Sequence, residues 1–187
     1  MKKIQLLSFI LFLITFVSQA QIRLGDAVFP YNNPKNETLA LNGVGMRKVM
    51  FHNTYAGALY TKNKMSNPDR IMEANEDMSI RLNILSDKVK TKSMISIFEK
   101  GFEHATDGNV APLKNRIGKL MILFSSPVQK NDFFDFVYNE DQSNVSIYKN
   151  GESLGEIEGL DFKHALFKIW LGDQPACKYI KAGMLGT

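Results

Sequence analysis

The chain has 187 residues, 44% of them hydrophobic, with a single cysteine and a formal net charge of +4. That length and apolar content suit one domain with its own core, and a lone cysteine excludes a disulfide scaffold. Leaving out Lys2 and Lys3 of the N-terminal segment, 21 basic side chains face 19 acidic ones; so even a balance gives no electrostatic footprint for nucleic acid or an anionic membrane surface.

Residues 1–20 read as a signal peptide. Lys2 and Lys3 form a basic start, Ile4 to Val17 is almost continuously apolar, and Ser18 and Ala20 are small residues at a cleavage site. The apolar run is shorter than the roughly 20 residues a membrane span needs, and no cysteine nearby could take a lipid. The expectation is cleavage after Ala20, leaving one domain over 21–187 with no stable membrane anchor, periplasmic or secreted. The two sequons at Asn36 and Asn144 matter only in a eukaryotic secretory pathway, and a short basic signal without disulfide pairs favours a bacterial periplasm.

Asn32 to Asn36 is turn chemistry, so what precedes it reads as an arm or short edge strand. Leu39 opens a β region running to Tyr60, rich in branched and aromatic residues. Met78 to Leu85 alternates apolar and polar, the mark of a half-buried strand. Ser86 or Asp87 caps a helix with its apolar stripe at Met94, Ile97, Phe98, Gly101 and Ala105. Pro112 starts a second helix, striped by Leu113, Ile117, Leu120, Met121 and Phe124 and stopped by Pro127. Strands follow at Phe133–Tyr138, Val145–Tyr148 and Leu154–Ile157, with Asn150-Gly151 the sharpest hairpin signal. Asp161 caps a helix from Phe162 to Leu171, ended by Gly172, and Asp173 and Pro175 begin a last short helix through Ile180. Strands, two helices, strands, then helices predict an α+β fold. Its form is an open-faced β-sandwich, an antiparallel sheet covered on one face by a helical layer with a cleft between them.

Several motifs carry less than their form suggests. Gly151 to Gly155 (GESLG) matches the nucleophile elbow, yet it sits in a hairpin with no helix behind it. His52, His104 and His164 lack partners at metal-ligand spacing, so neither a metal nor another cofactor is implied. Gly43 and Gly45 lack the third glycine of a dinucleotide loop and fit a bulge or a close backbone approach. Lys88, Lys90 and Lys92 read as the solvated start of a helix. Phe133 to Phe136 is sheet core or pocket lining, and Cys177 is a small half-buried residue.

The informative anomaly is Arg47, a cation inside the apolar strand region. Buried and unpaired, it would cost several kcal/mol or more. Its partner is either a protein carboxylate, such as Glu37 or Asp77, or an acidic ligand.

Three segments together resemble the chalcone isomerase-like family, in particular its exported bacterial members. They are Leu41–Arg47 (LNGVGMR) leading to Tyr55–Tyr60 (YAGALY), Gly151–Gly159 (GESLGEIEG), and Asp161–Gly172 (DFKHALFKIWLG) with Pro175 and Met184–Gly186 after it. The resemblance runs from about Leu39 to the end and implies the same open-faced β-sandwich. Plant chalcone isomerases close a flavanone ring with an arginine on an early strand and a threonine one strand later, plus a tyrosine and an asparagine around the first helix. Arg47 matches the arginine. Tyr55 stands at the threonine position, similar to the fatty-acid-binding branch, where that arginine and a tyrosine hold the ligand carboxylate. The helix over 86–102 contains neither tyrosine nor asparagine. The resemblance thus implies a non-catalytic protein that binds a fatty acid or similar amphipathic carboxylate through Arg47 and Tyr55. An isomerase (an intramolecular lyase acting on a chalcone-like carbonyl compound) and a structural module with a self-filled cleft are the alternatives. One geometric condition attaches to the pair. On a continuous strand Arg47 and Tyr55 would lie about 26 Å apart at about 3.3 Å per residue, so the chain must reverse between them, near His52-Asn53.

Overall fold

The structure, a computed structural model, describes residues 20–187; apart from Ala20, the predicted signal segment lies outside the described residues. The N-terminal arm is a ribbon of its own, β1 (Gln21–Leu24) paired antiparallel with β2 (Ala27–Pro30). Seven further strands form one sheet in sequence order: β3 (Asn32–Asn33), β4 (Asn36–Val49), β5 (His52–Thr61), β6 (Met78–Ile84), β7 (Phe133–Asn139), β8 (Asn144–Lys149) and β9 (Glu152–Glu158). Every pairing in it is antiparallel. The helices are α1 (Pro68–Glu73), α2 (Thr91–Ala105), α3 (Lys114–Leu123), α4 (Leu160–Leu171) and α5 (Lys178–Leu185). Among the described residues no helix is long and apolar enough to cross a membrane.

The predicted architecture holds: an α+β fold with helices on one face of an antiparallel sheet. Leu59, Ile80, Leu82, Ile84, Phe134, Phe136 and Ile147 point from the sheet into the main core, against Met94 and Phe98 of α2 and Leu166 and Trp170 of α4. Phe98 stands edge-on to Trp170, with ring centres 6.0 Å apart, and Phe124 stacks on Phe134 at 4.8 Å, so aromatic rings fill the middle of this layer.

The opposite face is less open than the alternation in β6 suggests. Ala56, Ala58 and Tyr60 pack there with Ala27 and Phe29 of the ribbon, and the Tyr60 hydroxyl donates to the Pro30 carbonyl at 3.1 Å. Ser79 and Arg81, polar positions of a strand expected to be half-buried, are both buried on this face. Arg81 is tolerated because Asp135, its register partner on β7, accepts two hydrogen bonds from it at 2.6 and 2.8 Å.

Local cap signals were the least reliable guides. Ser86 spends its Oγ and carbonyl on a turn to Lys88 and Val89, because the buried Val89 side chain draws the chain inward, and α2 starts only after Lys90. Gly159, at φ 110°, precedes α4; Asp161 lies inside its first turn and binds Arg116 through both carboxylate oxygens at 2.6 Å. Residues 173–176 stay extended or bent and α5 begins at Lys178, later than the sequence suggests. Helix α1 was missed despite a legible start, with Asn67 accepting from the Arg70 N–H and Pro68 in the first turn.

Gly43 and Gly45 serve the close approach expected of them, beside bulges in β4. Helix α5 lies so near that a Cβ on Gly45 would stand 2.5 Å from the Tyr179 carbonyl oxygen and 2.6 Å from the Ile180 Cα, and one on Gly43 would overlap the Gly183 carbonyl. Those obstacles are backbone and cannot swing aside. Gly45→Ala is expected to cost about 1–3 kcal/mol, measurable by urea denaturation, because α5 must lift off the sheet.

Candidate ligand-binding site

The chain reverses at Met50-Phe51, slightly earlier than expected, and Arg47 and Tyr55 become register partners on adjacent strands. Directly opposite residues of an antiparallel pair project to the same side of the sheet. Here it is the helix-covered side, since Tyr55 belongs to the main core. The condition set by the sequence is therefore met: two residues eight apart in the chain share one position in the sheet.

Both line a cavity of about 890 Å³, within the range of small-molecule sites. Its walls come from distant segments. The hairpin contributes Arg47, Val49, Met50, His52, Thr54 and Tyr55; α2 turns Ser93, Ser96, Ile97, Lys100, Gly101 and His104 towards it; the α4–α5 connection adds Asp173, Pro175 and Ala176, and the first residue of α5 adds Lys178. Lys88 and Val89 close the side before α2. Among the lining residues four cations, Arg47, Lys88, Lys100 and Lys178, stand against one carboxylate, Asp173. The site is electropositive although the chain is nearly balanced, and a cavity lined by one sign of charge concentrates anions.

Arg47 is half-buried, and among the described residues no carboxylate pairs with it. Asp77, one partner proposed from sequence, is engaged instead by Lys62 at 3.7 Å and by the Glu140 N–H at 2.8 Å. Arg47 makes one long hydrogen bond, Nη1 to the Thr54 hydroxyl at 3.4 Å, while that hydroxyl donates to the Arg47 carbonyl at 2.9 Å. Most of the guanidinium fork is left for another acceptor.

Tyr55 is 1% exposed. Burial pushes its hydroxyl up to about 12, against a smaller opposing pull from the nearby Trp170 N–H and the Arg47 charge. It is a neutral donor at any physiological pH. Among the described residues neither the Tyr55 hydroxyl nor the Trp170 indole N–H has a hydrogen-bond partner, though both are buried. An unsatisfied buried polar group costs about 1–3 kcal/mol, and an oxygen-bearing ligand would relieve it. Chemically, the end of the cavity nearest the sheet can hold an anion with a guanidinium and a hydroxyl.

A family model described as chalcone isomerase-like matches residues 23–186. The chain belongs to the chalcone isomerase-like family. Among solved structures, it is similar to the crystal structure of an Arabidopsis thaliana fatty-acid binding protein. The TM-score is 0.73 at 18% identity, over 89% of this chain and 96% of that one. The likeness is one of fold. No curated protein matches the chain.

Within this chalcone isomerase-like site, the sequence picked out Arg47 and Tyr55 but missed the rest of the wall. One signal was available. Ser93, Ser96, Lys100 and His104 recur at helical spacing beside Ile97 and Gly101, a polar strip along the edge of the apolar stripe. Lys88 was taken for part of a solvated run; it is exposed, and it also stands at the cavity. His164 lies on α4 and does not line it. The GESLG motif spans the β8–β9 hairpin with Ser153 exposed, as its context indicated.

Proposed function

We propose that the protein binds a fatty acid or similar amphipathic carboxylate without transforming it. The carboxylate lies between Arg47 and Tyr55, and the tail lies along Val49, Val89, Ile97, Pro175 and Ala176. The observation that carries this reading is the pairing, at one position of the sheet and facing one cavity, of an arginine and a tyrosine that have no carboxylate and no hydrogen-bond partner, respectively, among the described residues. Guanidinium and hydroxyl match the planar acceptor pattern of a carboxylate, and exclusion of water by the tail strengthens both bonds. Helix α2 turns serines, a lysine and a histidine to the cavity where ring closure would call for a tyrosine and an asparagine. The aromatic core fills the middle of the layer but leaves this end open, which favours binding over a self-filled module. We also propose that the segment before Gln21 directs export, so that binding takes place in the periplasm or outside the cell.

Calorimetric titration with dodecanoate tests the reading. Arg47→Ala is expected to weaken binding by about 10–100-fold, the worth of a charge-assisted hydrogen bond, and Tyr55→Phe by less. Equal affinity in Arg47→Ala would sink the proposal, as would conversion of a chalcone that depends on Arg47.

A further inference from the structure

The β4–β5 hairpin ends in an unusual turn. Met50 is 85% exposed and Phe51 96%, with Val49 at 41% beside them. Met50 also holds a φ of 54°, the left-handed region that favours glycine, asparagine or aspartate. The β8–β9 hairpin shows the inexpensive solution, with Asn150 and Gly151 at φ 52° and 86°. A turn needed only to reverse the chain has no reason to strain a methionine and put a phenylalanine in water. This apolar tip also stands at the cavity, since Val49 and Met50 line it. Lys48 is exposed on the same hairpin, and exposed Lys88 and Lys178 reach the cavity from two other segments, with Asp87 and Asp173 as the neighbouring carboxylates.

We propose that this tip docks the protein on an anionic lipid surface, presenting the cavity mouth to the bilayer so that an amphipathic ligand passes between membrane and site. This rests on the ligand reading above for the cargo, though not for the docking. Protruding apolar side chains flanked by lysines are what an interfacial anchor requires: the side chains enter the acyl boundary while the ammonium groups meet lipid phosphates. A protein partner fits less well. Three side chains at one hairpin tip, Val49, Met50 and Phe51, offer far less than the roughly 800 Å² per partner of a stable interface. The even overall charge does not oppose docking, because attraction at a surface is set by the local cluster within about one Debye length of ~8 Å.

Co-sedimentation with phosphatidylglycerol–phosphatidylcholine vesicles provides the test, with phosphatidylcholine alone for comparison. Binding is expected to the anionic vesicles and to fall with added salt. Phe51→Ser should weaken it about tenfold or more, and Lys48→Glu should weaken it as well. Neither residue lines the cavity, so dodecanoate affinity in solution should stay unchanged in both. A Phe51→Trp variant should show a blue-shifted emission and quenching by brominated lipid, over the constant signal of buried Trp170. Absence of vesicle binding, or binding indifferent to Phe51→Ser, would overturn the proposal. Concentration-dependent self-association lost in Phe51→Ser would overturn it in favour of a second copy on the tip. Tyr55→Phe separates the two readings: buried, it should weaken dodecanoate binding, though less than Arg47→Ala does, and keep vesicle binding unchanged. Vesicle binding by a wild-type protein that takes up no dodecanoate would leave docking standing and remove the cargo.

Discussion

Asp135→Ala is expected to destabilise the fold by about 3–5 kcal/mol. Asp135 is fully buried and the Arg81 side chain only 7% exposed. Nε and Nη2 donate to the two carboxylate oxygens at 2.6 and 2.8 Å, and the guanidinium also lies 4.7 Å from the centre of the Phe133 ring. Removing the carboxylate leaves a cation between two central strands with no counter-charge and little access to water. Urea denaturation of the variant measures the loss. The double variant Arg81→Met/Asp135→Leu should recover most of it, because it removes the desolvation cost together with the attraction that offsets it. Dodecanoate affinity of Asp135→Ala, measured well below its melting point, should be unchanged, since the pair lies on the ribbon face of the sheet and the cavity on the other. A cost below about 1 kcal/mol would put the pair in the class of solvated surface bridges and refute this account.

Lys163→Ala is expected to cost about 3 kcal/mol from two separable sources. The side chain is fully buried, and its Nζ donates to the carbonyls of Ile71 and Met72 at 3.0 Å and of Ala74 at 2.7 Å, closing the C-terminal end of α1. Truncation leaves a cavity among Tyr138 and Phe167, and orphans three acceptors. Lys163→Met keeps the stem and orphans only the acceptors, so it should be the milder variant in the same denaturation series. A pH signature belongs to the ammonium group alone. Burial pushes Lys163 down to about 8, with Glu76 opposing weakly, from an ordinary value near 10.5. Between those two values the unfolded chain holds more protons than the folded one, so stability rises with pH. The stability difference between wild type and Lys163→Met should therefore be flat below about pH 8 and move in favour of wild type from about pH 8 to 10. A difference constant over that range would mean that the carbonyl cage holds the ammonium at its ordinary value.

The two buried cations show why sequence reading went only part of the way. Arg81 occupies a polar position of an alternating strand, and its pattern gave no hint that the second face was covered. The cover on this face comes from the β1–β2 ribbon, which the sequence presents as an arm or short edge strand before a turn. Nothing in the sequence sets Lys163 apart from any other charge on a helix. Only the placement of α1, a six-residue helix that was overlooked, puts three carbonyls over it.

Arg47 followed the opposite course. Its residue type and surroundings singled it out, because a cation in an apolar strand needs a partner wherever the strand goes. The sequence alone established the sheet-and-helix class, the Asn150-Gly151 hairpin, the stripes of the long helices, and Arg47 with Tyr55 as candidates. These are local matters of period, turn chemistry and charge. It could not establish that Arg47 and Tyr55 meet, because Met50-Phe51 carries none of the glycine, asparagine or proline that announces a reversal. Nor could it assemble the cationic wall, since Lys88, Lys100 and Lys178 lie on separate segments and converge only when α2 and α5 pack on the sheet. Periodicity reports which side of an element is apolar. Which polar groups end up facing one another is decided by long-range packing, and here that packing made the site.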